Sequence, residues 1–392
     1  MDFNFSEQQR EIQDSMERIF ADLCSDEHIK RVAPASGSVL HDQLWRELAA
    51  AGIFGLPFDE RFGGLELGLV ELCLILELQG RSVAPVPLLS SVVECAMTIA
   101  DGDNEALQQT VLPGVISGEV ILSPVSTYHG IQREQQHSAL AAIRHNDGYR
   151  LTGRSGFAPW VGAAKGYVVS LSAGSDAESD AGSDVNVVAF IEAGHSGIEV
   201  VEQQAISGEP AGYLRFDNCV IEPQQIIADG EAAQRLQQSQ QHRRWIGLAA
   251  LQVGVLDAGL KRTAAYVSER KQFGRALGSF QAVSQQAANA YMEIESLRSA
   301  YWRALDDVQA DTDLSMSASV AAYWVAQAGH LAAHTELHLH GGIGQDLDYP
   351  IHRYFLWAKQ CERYAGNRTQ CSLNIGRQLM SADAKQLEQL CL

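Results

Sequence analysis

The chain has 392 residues, 46% of them hydrophobic, and a formal net charge of -19. That length suits two or three domains or one large multi-part unit, and the apolar content suits a sizeable core and argues against global disorder. An acid excess of this size repels nucleic acid, and it repels an anionic ligand too unless Lys and Arg gather where that ligand docks.

The cysteine count, 7, is odd, and the residues are scattered without a CxxC pair, which argues against a disulfide framework or a zinc module. The start, MDFNFSEQQREIQ, is polar and acidic, unlike a signal or transit peptide. No apolar run reaches the ~18 residues of a membrane span; Leu67 to Leu78 carries Glu71 and Glu77. The expectation is a soluble cytoplasmic protein with no nucleic-acid partner and no membrane span.

Residues 1–119 read as helical. Phe3, Phe5, Ile12, Met16 and Phe20 recur at roughly helical spacing, and Ser6-Glu7 suits a helix start. Phe62-Gly63-Gly64 makes a turn before an apolar helix over Leu67 to Gly80. The run Ser82 to Pro87 stops that helix, because proline removes a donor and restricts its predecessor.

Residues 120–228 change character. Ala139 to His145 and Tyr149 to Gly153 flank Asn146-Asp147-Gly148 and predict a hairpin. Tyr167 to Ser172, Val185 to Ile191 and Tyr213 to Val220 predict further strands, and the acidic run 173–184 predicts a surface loop. Residues 229–392 return to helical patterning over Gln234 to Glu269, Ala282 to Leu305 and Leu314 to Leu339. The Gln-rich Gln234 to Gln241 reads as a helix start or loop. Segregated helical, β and helical blocks predict an α+β protein, and no GxGxxG or Walker sequence follows a strand.

Three motifs together resemble the acyl-CoA dehydrogenase family. Arg270-Lys271-Gln272-Phe273-Gly274, followed by Leu277-Gly278-Ser279-Phe280-Gln281, is similar to its RxQFGxxIxxFQ signature. His338-Leu339-His340-Gly341-Gly342-Ile343-Gly344, with Tyr349-Pro350 after it, resembles its QxxGGxGxxxxxP segment. Gly52 to Pro57, Phe62-Gly63-Gly64 and Glu77 to Arg81 resemble its N-terminal pattern. The resemblance implies a helical N-terminal domain, a middle β-barrel-like domain and a C-terminal four-helix bundle. It also implies noncovalent FAD, a dimer or tetramer, an acyl-CoA substrate and an electron-transfer flavoprotein as acceptor.

On that resemblance the cofactor-facing residues are Arg270, Gln272, Phe273, Gly274, Gln281, His338, Gly341, Gly342, Gly344 and Asn367, with Phe157 in the middle domain. Arg270 offers a forked cation to a pyrophosphate, Gln272 amide donors, and Phe273 a flat apolar surface. Glycines at 341, 342 and 344 let backbone approach closely. The middle domain departs from the pattern: Gly156-Phe157-Ala158-Pro159-Trp160 stands where a WxTNA run is usual, and Pro159 has no hydroxyl. Ser123-Pro124-Val125-Ser126 stands near the place of the usual Glu-Pro-Gly loop.

The reaction needs a carboxylate within reach of the proton next to the thioester carbonyl. The family's usual base position falls on Ala365, within Tyr364-Ala365-Gly366-Asn367. Its minority position, counted back from Gly254, falls on Arg244, which cannot act as a base near neutral pH. Glu362, one turn before Ala365, is a weak substitute. The simplest expectation is a heteromer of the kind found in steroid side-chain degradation, in which a homologous Glu-bearing subunit completes a shared FAD site. A homomer using an unrecognised carboxylate, or a non-catalytic structural or regulatory subunit, are the alternatives. His330, His334 and His338 recur every four residues, but no HExxH arrangement joins them, so no metal is expected. Ser126 and Ser155 lack a GxSxG context.

Overall fold

A hydroxyl ahead of an amphipathic stripe starts the first helix, α1 (Glu7–Leu23). The Ser6 hydroxyl accepts from the Gln9 N–H (3.1 Å) while the Gln9 side chain accepts from the Ser6 N–H (2.9 Å), a reciprocal cap that satisfies two orphan donors. Met16 and Phe20 are buried as their spacing predicts. The computed structural model describes residues 5–32, 40–126, 140–171 and 186–381. Phe3, the acidic run 173–184 and the outer residues Ala139, Ser172 and Val185 of the expected strands lie outside the described residues.

Helices α2 (Asp26–Val32), α3 (Asp42–Ala50) and α4 (Leu69–Ser82) follow, then a π-helix (Leu88–Ala96), α5 (Met97–Ala100) and α6 (Glu105–Ile116). The strands are β1 (Leu122–Ser126), β2 (Ala141–His145), β3 (Gly148–Arg154), β4 (Ala158–Pro159), β5 (Gly166–Leu171), β6 (Val187–Glu192), β7 (Ile198–Gln204), β8 (Pro210–Ile221) and β9 (Ile226–Asp229). The last block holds α7 (Gly230–Glu269), β10 (Lys271–Gln272), β11 (Arg275–Ala276), α8 (Gln281–Gln309), α9 (Ser315–His340), α10 (Ile351–Ala365) and α11 (Asn367–Ser381). Gln234 to Gln241 is therefore helix, inside α7.

The predicted hairpin forms, with His145 paired to Gly148 across Asn146 at positive φ. Two sheets, β1-β5-β6-β9 and β2-β3-β8-β4 with β7 beside β8, contribute to one hydrophobic cluster that includes Val125, Tyr167, Leu151, Leu214 and Ile221. Strand β5 is buried at all its positions, which explains its mostly apolar run; the Ser170 hydroxyl in it donates to Gln240. Strands β1, β7 and β9 carry no clean alternation, and sequence reading passed over them.

The described residues divide into two compact units. One is drawn from Glu11–Leu76 and Ala84–Arg244, the other from Met1–Arg10, Glu77–Val83 and Trp245–Leu392. In the second, α7 meets α4 through glycine. A Cβ on Gly254 would fall 2.0 Å from the Glu77 carbonyl oxygen, and one on Gly80 would fall 2.1 Å from that of Leu251. Glu77 also pairs with Arg81 (2.7 Å) and Arg298 (3.4 Å). Gly254→Ala is expected to destabilise the chain by about 1–3 kcal/mol through overpacking, read as a lowered midpoint in urea.

The same bundle encloses Glu336 of α9, 1% exposed. Gly259 of α7 makes the room: a Cβ there would lie 2.2 Å from Glu336 Oε2. Oε1 has no hydrogen-bond partner. Burial, then the charge of Asp257, holds this carboxyl well above its ordinary value. The folded state therefore keeps a proton that the unfolded chain releases above about pH 4.3. Stability from this group is full at low pH and falls as pH rises towards the folded pKa, by up to about 1.4 kcal/mol per pH unit. Glu336→Gln is expected to flatten the alkaline side of a melting-temperature profile. An unchanged slope would mean that Glu336 is already ionised in the fold.

Candidate cofactor face and base positions

The RKQFG motif is a hairpin tip at the end of α7. Lys271 pairs with Ala276 and Gln272 with Arg275, so Phe273 and Gly274 form a two-residue loop. Both have positive φ (+51° and +78°), as the hairpin twist requires of such a loop. Gly274 takes this conformation freely, whereas Phe273 bears a penalty of about 1–2 kcal/mol. The Arg270 N–H donates to the Tyr266 carbonyl and the Leu277 N–H to the Arg270 carbonyl, both at 2.8 Å, closing the base of the hairpin. Arg270, Gln272, Phe273 and Gly274 are all exposed, Phe273 to 92%. Arg270, Lys271 and Arg275 gather three exposed cations in six residues, the local concentration that an acidic chain needs to hold a phosphate.

The second motif starts at the end of α9. Gly341 takes φ +62°, ψ -140°, a conformation open to glycine. A Cβ on Gly341 or Gly342 would meet nothing within 4 Å, so the backbone there is openly presented. Gly344 is different. It is buried, and a Cβ would lie 3.0 Å from Leu337, so packing explains that glycine. His338 is exposed, with Nδ1 3.2 Å from Gln286 Oε1 on α8, and Gln281 is exposed at the first position of α8. Asn367 has φ +52°, and its Oδ1 accepts from the Gln370 N–H (3.1 Å), which caps α11.

The two positions expected for a base, 365 and 244, carry alanine and arginine and no carboxylate. Ala365 is buried at the end of α10, where its carbonyl accepts from the Trp245 indole (3.2 Å) and the Cys371 thiol (3.6 Å). Glu362 is engaged with the Lys359 ammonium and sits 3.4 Å from His330 Nδ1. His330 and His334 lie side by side, ring centroids 4.7 Å apart, and among the described residues no group of three or more His, Cys, Asp or Glu could hold a metal ion.

At the other position, the Arg244 guanidinium donates to the Glu94 carboxylate from α7 to the π-helix. Arg244 is 8% exposed and Glu94 fully buried. Gln240 reinforces the pair: its amide nitrogen donates to the Glu94 carbonyl (3.0 Å) and its oxygen accepts from the Ser170 hydroxyl (2.9 Å). Arg243 pairs with Asp101 and donates to the Thr98 hydroxyl (3.1 Å). Burial pushes the neighbouring Cys95 thiol well up, so it stays protonated. Sequence reading missed Glu94; its one signal was a charge inside the apolar run Leu88–Ala96.

In the middle sheets, Phe157 is half-buried before β4. Pro159 pairs with Ala211, and its carbonyl accepts from Ser123 (2.7 Å). Trp160 is buried with φ +58°. Glu209, in the β7–β8 connection, accepts from the Ser207 hydroxyl (2.8 Å). Burial raises its carboxyl to about 7, against the opposing hydrogen bonds of Ser207 and Trp160. Nothing in the sequence marked this residue.

An amino-terminal run of helices, a middle pair of sheets and a carboxy-terminal set of long helices that carries an exposed cationic hairpin and an open double-glycine turn define an acyl-CoA dehydrogenase-type fold. The chain belongs to the acyl-CoA dehydrogenase family: residues 6–119 match its N-terminal domain and residues 234–380 its C-terminal domain. It is 33% identical to acyl-CoA dehydrogenase FadE27 of Mycobacterium tuberculosis, over 98% of this chain and 100% of that one. Among solved structures it resembles the ChsE4-ChsE5 complex from Mycobacterium tuberculosis (TM-score 0.87, 32% identity, 98% and 100% of the two chains). It also resembles a Tcur3481-Tcur3483 steroid ACAD variant (TM-score 0.83, 35% identity, 95% and 98%). Butyryl-CoA dehydrogenase from Megasphaera elsdenii, at 22% identity, shares the fold (TM-score 0.83) over 97% of this chain and 100% of that one.

Breaking the Arg244–Glu94 pair from one side leaves a buried charge unmatched. Arg244→Met is expected to cost about 3–5 kcal/mol in urea denaturation, and Arg244→Met with Glu94→Leu to recover most of it. Equal losses in the single and double variants would show that the two charges are not coupled.

Proposed function

We propose that this chain is a subunit of a heteromeric acyl-CoA dehydrogenase that lacks its own catalytic base and shares an FAD site with a homologous, Glu-bearing partner. The complex converts an acyl-CoA to its 2,3-enoyl form and passes electrons to an electron-transfer flavoprotein. The likeness to the Tcur3481-Tcur3483 steroid ACAD supports a bulky steroid side chain as the acyl group, and a cytoplasmic location is part of the same proposal. One observation carries the reading: Arg244, at one base position, is locked to Glu94, while the other position is an alanine.

FAD, when bound, supplies the centre that accepts hydride from the β carbon. The residues of this chain fit one side of that cofactor. Arg270 offers two parallel donors to a pyrophosphate, Gln272 an amide, Phe273 an exposed ring, and Gly341-Gly342 open backbone. The fit fails in the middle domain, where Pro159 has no hydroxyl to offer. Hence this chain orients the cofactor from the hairpin side, and the partner supplies the remaining contacts and the carboxylate that takes the α proton.

A second reading, a homomer with another carboxylate as base, draws on Glu209, whose carboxyl accepts from the Ser207 hydroxyl (2.8 Å) and is raised by burial to about 7. The test is to purify the chain alone and with the product of its genetic neighbour, then measure flavin absorbance and dye reduction. The heteromer predicts flavin and activity in the pair only, with Glu209→Gln changing the rate less than about tenfold. Full activity from the lone chain, lost by 100-fold or more in Glu209→Gln, would establish the second reading; about that loss is typical of a removed base. A pair without flavin bands would instead indicate a structural or regulatory subunit.

A further inference from the structure

The two cofactor-facing motifs come from different helices, yet three aromatic rings join them. Tyr266 lies one turn before Arg270, and its carbonyl accepts the Arg270 N–H. The His340 ring, the last of α9 and 3% exposed, stacks on Tyr266 with centroids 4.7 Å apart and planes 22° apart. Tyr349, from the segment that follows the glycine turn, approaches the other rings at 5.3 Å from His340 and 6.3 Å from Tyr266.

His340 is also fastened to its own helix. Nδ1 lies 2.8 Å from the Glu336 carbonyl oxygen, which can only accept, so Nδ1 carries the hydrogen. The ring cannot turn without losing this bond, and the next residue, Gly341, begins the open turn. The far end of that turn is held as well: the Asp346 N–H donates to the Ile343 carbonyl and the Tyr349 N–H to the Asp346 carbonyl, both at 3.1 Å. Burial lowers the imidazole pKa, which keeps the ring neutral, and Nε2 has no partner. A phenylalanine would stack equally well but could not hold the Glu336 carbonyl.

We infer that His340 is a positioning residue that fixes the Arg270–Gly274 hairpin and the Gly341–Gly344 turn in one register, so that both sides of the cofactor contact are set together. This rests on the proposed role of those two segments at the shared FAD site. The ring reaches the hairpin through Tyr266, and the Nδ1 bond sets the angle at which α9 delivers its glycines. Loss of the side chain loosens both segments at once, although they are some 70 residues apart in the chain.

The test uses the full chain, alone and with its partner, as wild type, His340→Ala, His340→Phe and a control, Leu297→Ala, which removes a fully buried side chain from the core of α8. Amide hydrogen exchange is read at residues 271–276 and 341–346, and FAD affinity is titrated in the pair. His340→Ala is expected to speed exchange at both segments by tenfold or more and to raise the Kd for FAD by a similar factor. His340→Phe should restore protection at 271–276 but not at 341–346. Leu297→Ala should lower the melting temperature while leaving exchange at both segments and the Kd near wild type. Faster exchange at 341–346 alone in His340→Ala, or equal effects from Leu297→Ala, would overturn the inference. Should the wild-type pair bind no FAD, the shared-site reading fails on its own, and the exchange arms still decide whether His340 couples the segments.

Discussion

Arg244 and Glu94 meet with almost no water around them, and ions in such a place must match each other or give up their charge. Desolvation of both groups offsets much of their attraction, so the pair adds little net stability. What it fixes is arrangement. Arg243, Gln240 and Ser170 bind around the same point, so the amino-terminal half of α7, the π-helix and β5 are tied by polar contacts inside an apolar setting. Those contacts carry direction, which apolar packing lacks. Arg244 is committed to an internal partner.

The Glu336–Gly259 contact has a related logic. A carboxyl is admitted into the bundle where the facing helix gives up its side chain. Volume is conserved across the pair, yet one oxygen stays unpartnered. Such groups are uncommon in native cores, and burial holds this carboxyl above its ordinary value.

Much of the fold was legible because its periodicities are local. The reciprocal cap at Ser6, the helical stretches from Gln234 onward and the Asn146–Gly148 turn each depend on neighbours within a few residues. The RKQFG and GGIG motifs were legible for the same reason. The Glu94 partnership was not, because 150 residues separate its members and helical spacing says nothing about what a helix faces. The π-helix escaped because a short stretch such as Leu88–Ala96 carries no periodicity that separates a π-helix from an ordinary buried helix. Asn367 and Gly344 also have local roles that motif matching does not reveal: one caps a helix, and the other leaves room beside Leu337.

Phe273 stands almost wholly in water, on a backbone conformation that costs energy to hold, at the tip of a charged hairpin. Covering such a ring is worth about 1.5–3 kcal/mol to whatever covers it. A copy synthesised in excess would carry this apolar tip, with Leu347 also 74% exposed, into a crowded cell. Quality-control machinery reads uncovered apolar side chains, so an uncovered tip of this kind marks a surplus copy for removal.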